Sequence, residues 1–279
     1  QVLKDLCAMG PRMSGSEGMR KQREFLDQYF TQLGGKVQLQ SFDIRHPING
    51  SRVTMHNMIV QWHPQRKKRV LLCAHYDTRP FPDRDPDPSK RRGVFLGAND
   101  GASGVALLCG LAHSMGELKG SYGVDFVLFD GEEFVFDAEV DPYFLGSTEF
   151  AKSYRNKPPS YQYRGGVLLD MVADEQLQIY QEINSWKYAR PVVQDLWAVA
   201  KKLGVIEFRP QRKHEIRDDH LPLNEIARIP TCDIIDFDYP RPGLRTSYWH
   251  TQQDSVEHCS AVSLARVGWV VQEWLRQLN

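Results

Sequence analysis

The sequence lacks any long apolar run and any excess of charge. No stretch approaches the ~20 consecutive apolar residues that span a bilayer, and 35 Lys and Arg balance 35 Asp and Glu among 279 residues. Without a net basic charge, nothing draws the chain electrostatically to nucleic acid or to an anionic membrane surface. We therefore expect neither nucleic acid nor membrane as a partner.

Cysteine is scarce and unfavourably spaced. The five cysteines form no C-x-x-C pair, and their number is odd. These facts support neither a disulfide scaffold nor a thiolate zinc site, although the count would allow one disulfide. Cys73 and Cys232 lie in apolar stretches, where a free cysteine behaves as a small buried hydrophobe.

Internal repeats, low-complexity tracts and an interdomain linker are also absent from the sequence. Because single cores grow to about 250–300 residues, we expect residues 1–279 to form one domain. We also expect the protein to be a monomer. The chain starts at Gln1 with no visible signal peptide, so a trimmed or mature form is the simplest interpretation.

Hydrophobic periodicity predicts an alternation of strands and helices. Helical spacing marks residues 16–33, 102–115, 191–203 and 260–278; strand-like stretches are 37–44, 53–62, 70–74, 124–129, 166–169 and 230–237. Several of these strands are apolar throughout, which is typical of a parallel sheet buried on both faces. We predict a three-layer α/β/α sandwich around a mixed, mostly parallel twisted sheet.

Ionisable residues follow the predicted buried strands, where the carboxyl ends of a parallel sheet bind ligands. The strand-end groups are His75 with Asp77, Asp130 with Glu132 and Glu133, Asp170, and Asp233 or Asp236. Loops and a short segment add Asp100, His250 and the Asp218-Asp219-His220 run. So many carboxylates at one edge repel one another unless a cation or a dense hydrogen-bond network compensates. Carboxylate and imidazole without thiolate favour a catalytic zinc with an open position.

Each element also has a simpler interpretation. His75 alone would more often be a hydrogen-bonded core histidine, and Asp100 could cap the helix that follows it. Glu132 and Glu133 could form a solvated turn, and His220 more often would be structural. The long loop 79–97, rich in proline and charge, is expected to be functional or mobile.

The motifs together resemble those of the zinc aminopeptidase superfamily, which includes leucyl-type aminopeptidases and animal-type (type II) glutaminyl cyclases. In order they are His75-Tyr76-Asp77, Gly97-Ala98-Asn99-Asp100, Phe129-Asp130-Gly131-Glu132-Glu133, Leu168-Leu169-Asp170 and Trp249-His250-Thr251. The resemblance extends from about Met9 to the C-terminus.

Two features resemble the cyclase branch in particular: the Asp218-Asp219-His220-Leu221-Pro222 run and Trp249 directly before His250. The segment from Pro80 to Lys90 is similar to that of bacterial relatives of the animal cyclases. The sequence also departs from that branch. The cyclases' pocket tryptophan has no counterpart in residues 134–138, their cysteine pair is absent, and residues 101–104 are at least as aminopeptidase-like.

The cyclase resemblance implies an enzyme that closes the N-terminal glutamine of peptides or proteins to pyroglutamate and releases ammonia. It implies one zinc on Asp100, Glu133 and His250, with Glu132 transferring the proton. Further implied roles are hydrogen bonding around the reacting centre by Asp170 and Asp218, and walls beside the glutamine side chain formed by Trp249 and Tyr239.

An aminopeptidase is the alternative. Two metals would then be bridged by Asp100, with His75 and Asp170 joining Glu133 and His250 as ligands, and Glu132 would deprotonate a bridging water. A third hypothesis is a binding module that has lost the reaction, although every residue needed for catalysis is present. The resemblance also implies a secreted or periplasmic protein.

Overall fold

The computed structural model describes residues 1–239 and 247–278, and its centre is a six-stranded mixed sheet. The strands of the described chain are β1 Lys36–Arg45, β2 Arg52–Trp62, β3 Lys68–His75, β4 Tyr122–Phe129, β5 Gln162–Asp170, β6 Ile179–Gln181, β7 Phe208–Arg212 and β8 Thr231–Ile235. The large sheet has the order β1-β2-β4-β3-β5-β8, and β6 pairs with β7 in a small separate sheet. Strands β4, β3, β5 and β8 are parallel, whereas β2 is antiparallel to both β1 and β4.

Helices cover both faces of this sheet. They are α1 Val2–Ala8, α2 Glu17–Gln32, α3 Ala102–Met115, α4 Leu145–Asn156, α5 Ile183–Tyr188, α6 Arg190–Leu203, α7 His220–Glu225 and α8 Ala261–Gln277. Because successive side chains of a strand point to opposite faces, Leu72 joins the core under α3, α6 and α8, whereas Leu71 and Cys73 join a smaller core under α4 and α7. The three-layer prediction is therefore confirmed.

The predicted elements are all found, most within two residues of their expected ends. Helix α3 has the predicted ends. Helix α2 begins at Glu17, and Ser16 is its N-cap, whose Oγ accepts the Met19 N–H over 3.2 Å. Strand β8 is shorter than predicted and ends at Ile235, so that Asp236 and Phe237 lie beyond it.

Helices α1, α4 and α5 and the small sheet were not predicted from the sequence. Helix α4 contains glycine, threonine and two serines, which are weak helix formers. It is stabilised instead by tertiary packing of Phe150 and Ala151 on the sheet. No helix in residues 1–239 or 247–278 is long and apolar enough to cross a bilayer.

Candidate metal and catalytic site

The parallel strands end side by side, and their polar residues meet at one edge of the sheet. His75 pairs in register with Phe129 at the ends of β3 and β4, and Asp170 pairs with Ile235 at the ends of β5 and β8. The residues that directly follow β4 and β8 extend this edge. The expected clustering of the strand-end groups is therefore observed.

The three residues predicted to bind one zinc converge at this edge. His250 Nε2 lies 2.8 Å from Glu133 Oε1 and 3.4 Å from Asp100 Oδ2, and all three side chains are buried. Zinc bonds of about 2.0–2.1 Å in a tetrahedron separate neighbouring ligand atoms by roughly 3.3 Å. The 3.4 Å spacing matches this value and the 2.8 Å spacing is about 0.5 Å shorter, so a small shift of the side chains would let these residues hold a zinc ion.

The electrostatics of the cluster also fit a cation. Asp100 Oδ2 and Glu133 Oε2 are buried without a hydrogen-bond partner among the described residues. Burial disfavours a charged His250, but Glu133 and Asp100 outweigh it and raise the pKa of His250 from 6.5 to about 9. The carboxylates therefore attract positive charge to this point, and a metal would take the place of the proton.

A second cluster shares Asp100. His75 Nε2 lies 3.1 Å from Asp100 Oδ1 and 3.2 Å from Asp170 Oδ1. Burial opposes protonation, yet hydrogen bonds to Asp100, Asp170 and Asp77 raise the pKa of His75 well above its ordinary value. This set, which the sequence analysis assigned to a second metal, can hold either a proton or a cation.

Two buried carboxylates fix the backbone beneath the site. Asp77 accepts the N–H groups of Glu132 and Glu133, so the Glu132-Glu133 turn is buried and not solvated. Asp254 accepts the N–H of Asp100 over 3.1 Å. The cap residue of α3 is Gly101, with no side-chain cap. Asp100 is therefore not the helix cap, and its carboxylate faces the two histidines.

A cavity of about 380 Å³ opens onto the cluster and contains the predicted catalytic side chains: Glu132, Asp170 and Asp218. Burial, reinforced by the charge of Glu133, raises the pKa of Glu132 well above its ordinary value. Burial also raises the pKa of Asp218 strongly, with Asp170 adding to the effect. A raised pKa makes a carboxyl group a stronger base than a solvated one, which suits it to general acid–base catalysis.

Aromatic rings form part of the cavity wall. Trp249 lines it as predicted, with its ring centroid 4.0 Å from that of His250 and 5.1 Å from that of Phe237. Tyr239 does not line it, which corrects the expectation from the resemblance. Its side chain is only 1% exposed, and its hydroxyl donates to Asp254 over 3.1 Å. Tyr239 therefore supports the site from below, through the carboxylate that holds Asp100.

His220 fits its structural interpretation. It is fully buried, with Nε2 3.4 Å from Glu182 Oε2 and Nδ1 3.7 Å from Asp233 Oδ2. Glu182 also accepts the N–H of Ile216. These contacts anchor both sides of the segment that carries Asp218.

Two arginines belong to the site, although neither was predicted from the sequence. Arg79 and Arg84, both from the 79–97 loop, line the cavity, and Arg79 Nη1 lies 3.3 Å from Glu133 Oε1. The proline-rich, charged composition indicated a functional loop but no particular residue within it. Residues 134–138 have no counterpart to the cyclases' pocket tryptophan, and Ala138 of this segment lines the cavity.

The fold and the site define a metalloenzyme similar to the zinc exopeptidases. The sequence model of peptidase family M28 matches residues 57–275. The chain belongs to this family.

Solved bacterial structures are similar over the whole chain. The glutaminyl cyclase of Fimbriiglobus ruber is 39% identical, with a TM-score of 0.94, over 100% of this chain and 93% of that one. A Zn-dependent exopeptidase of Parabacteroides distasonis is 33% identical, with a TM-score of 0.90, over 99% of this chain and 96% of that one.

An animal protein is similar in sequence as well. The glutaminyl-peptide cyclotransferase of Drosophila melanogaster is 25% identical over 92% of this chain and 75% of its own length.

Proposed function

We propose that this protein is a glutaminyl-peptide cyclotransferase acting on the N-termini of peptides or proteins. The observation that carries the proposal is one cavity that holds both cyclase-like residues, Trp249 and Asp218, beside Glu132 and the predicted metal cluster. The similarity to cyclases from a bacterium and an insect supports the same reaction.

Asp100, Glu133 and His250 would hold one zinc ion. When bound, this ion supplies Lewis acidity toward the γ-carbonyl oxygen of the substrate glutamine. The carboxylate and imidazole donors, their spacing and their unpaired oxygens all suit that ion.

Glu132 moves the proton. The α-amine nitrogen attacks the γ-carboxamide carbon, a carbon–nitrogen bond forms, and the bond to the amide nitrogen breaks. Glu132 takes a proton from the attacking amine and returns it to the leaving nitrogen, which departs as ammonia. A carboxyl whose pKa is raised by burial is a stronger base than a solvated one and still returns the proton.

Asp170 and Asp218 lie across the same cavity and would hydrogen-bond the reacting centre. Burial is the first cause of a raised pKa in both carboxyl groups, and it favours the protonated form that donates a hydrogen bond. Trp249 and Phe237 would exclude water from the glutamine side chain. Exclusion matters because water competes with the amine as nucleophile.

An aminopeptidase remains the second candidate because of one observation, the cluster of His75, Asp100 and Asp170. With a metal there as well, Glu132 would act on water, and the first peptide bond would be hydrolysed. Both candidates use the same cavity and the same proton-transfer residue.

One experiment separates the two reactions. The metal-loaded protein is incubated with a Gln-initiated and a Leu-initiated peptide, and the products are followed by mass. Loss of about 17 Da from the Gln peptide alone indicates cyclisation with ammonia release. Release of a free amino acid from the Leu peptide, with two metals per chain, would replace the cyclase assignment by the aminopeptidase.

A further inference from the structure

The mouth of the catalytic cavity carries positive charge, in contrast to its acidic floor. Arg84 and Arg217 both line the cavity and both are solvent-exposed. Glu215 is the exposed acidic residue of the same lining with no ion pair in the described chain. The floor, with Glu132 and Asp218, is deeply buried.

Arg84 is held in place by the metal-site segment itself. Its backbone N–H donates to the carbonyl oxygen of His250 over 3.1 Å, and its guanidinium carbon lies 4.1 Å from the ring centroid of Trp249. Trp249 in turn packs on His250. The side chains of His250, Trp249 and Arg84 therefore stack from the predicted metal ligand to the cavity mouth. The cation–π contact with Trp249 restricts the Arg84 side chain.

Neither rim arginine is neutralised within the part of the chain that the structure describes. No carboxylate lies within ion-pair distance of Arg84 or Arg217 in residues 1–239 and 247–278. Arg79, deeper in the same cavity, is paired with Asp83 and Glu133. Among the described residues, the rim therefore offers two guanidinium groups without a carboxylate partner, and such groups recognise carboxylates well.

We propose that Arg84 and Arg217 bind a carboxylate on the side chain of the substrate residue after glutamine, so that Gln-Glu and Gln-Asp N-termini are preferred. The inference rests on the proposed function: both the α-amine and the γ-carboxamide must reach the floor, which directs the second residue toward the mouth. The C-terminal carboxylate of a very short peptide has the same chemistry and is tested separately.

The test compares kcat/KM for ammonia release by the metal-loaded enzyme from Gln-Glu-amide and from its uncharged isostere, Gln-Gln-amide. We expect Gln-Glu-amide to be favoured about two- to fivefold, the range for exposed ion pairs, and the preference to shrink at high salt. Gln-Ala as the free acid and as the amide tests the C-terminal carboxylate. A preference for the Gln-Ala free acid over its amide, without a preference for Gln-Glu-amide over Gln-Gln-amide, would refute binding of the side-chain carboxylate.

Arg84→Gln and Arg217→Gln should each lower the Gln-Glu to Gln-Gln ratio toward one. Arg164→Gln removes the same charge near the start of β5, about 20 Å from Asp170 by strand length, and should keep the wild-type ratio. A wild-type ratio near one, or an unchanged ratio in both rim variants, would overturn the inference while leaving cyclisation of Gln-Gln-amide intact. Absence of ammonia from every Gln peptide would overturn the proposed function as well.

Discussion

The carboxylate of Asp77 accepts the backbone N–H of Glu132 over 3.1 Å, and its other oxygen accepts that of Glu133 over 3.0 Å. Asp77 follows β3, whereas the two glutamates follow β4. One buried carboxylate thus joins the turns after two neighbouring strands. Because it holds the glutamates through their backbone, a change to either side chain should leave the turn in place.

Glu132→Gln should therefore separate catalysis from folding. We expect turnover to fall by about 10²–10⁴, which is the usual contribution of general acid–base catalysis, while zinc content and melting temperature stay near those of the wild type. Glu117→Gln, an exposed site beyond α3, is the matched control. Turnover close to normal in Glu132→Gln would remove this residue from proton transfer.

His250→Ala should lose both the metal and the activity, because His250 supplies the imidazole of the Asp100 and Glu133 cluster. Zinc per chain is measured by elemental analysis beside turnover. His113→Ala, at an exposed position of α3, should keep both. Stoichiometric zinc in His250→Ala would show that the ligand set is wrong.

Chelation should abolish activity, and added zinc should restore it. The melting temperature should fall only partly, since the main hydrophobic core extends from Leu3 to Leu275 and does not include the cluster. Turnover and calorimetry on the same chelated sample provide the check. Complete unfolding on chelation would instead assign the metal a structural role.

The pH dependence of the free energy of unfolding should show the raised pKa of Asp130. Burial, with a contribution from Asp77, raises the pKa of Asp130 from 3.8 to about 7, despite hydrogen bonds from Ser14 Oγ and the His56 N–H. A carboxyl with a raised pKa in the folded state stabilises fully below about pH 4, and this contribution is lost as pH rises through 7. In Asp130→Asn this titration is absent.

The free energy of unfolding of the wild type, relative to Asp130→Asn, should therefore fall between pH 4 and 7. The limit is about 4 kcal/mol, since one pKa unit is worth about 1.4 kcal/mol. Denaturant unfolding of both metal-loaded proteins across this range measures the difference. A difference that does not vary with pH would contradict the raised pKa.

Local pattern was sufficient for the elements with clear apolar stretches and insufficient for α4, whose composition is mixed. Helix α3 is apolar along most of its length and strand β2 alternates in part, and both were predicted almost to the residue. Helix α4 has weak helix formers and depends on packing against the sheet. Tyr239 was misplaced because its role was taken from the resemblance alone. Phe237, two residues earlier, lines the cavity, whereas Tyr239 points into the protein.

The sequence by itself determined the layered architecture and the crowding of ionisable groups after the buried strands, because both follow from periodicity along a few neighbouring residues. Only the tertiary structure decided which groups touch. Glu133 and His250 are 117 positions apart, and their 2.8 Å contact depends on the path of the whole chain. The same holds for Arg84 on Trp249 and for Asp77 beneath Glu132, since side-chain direction is set by the elements packed against each residue.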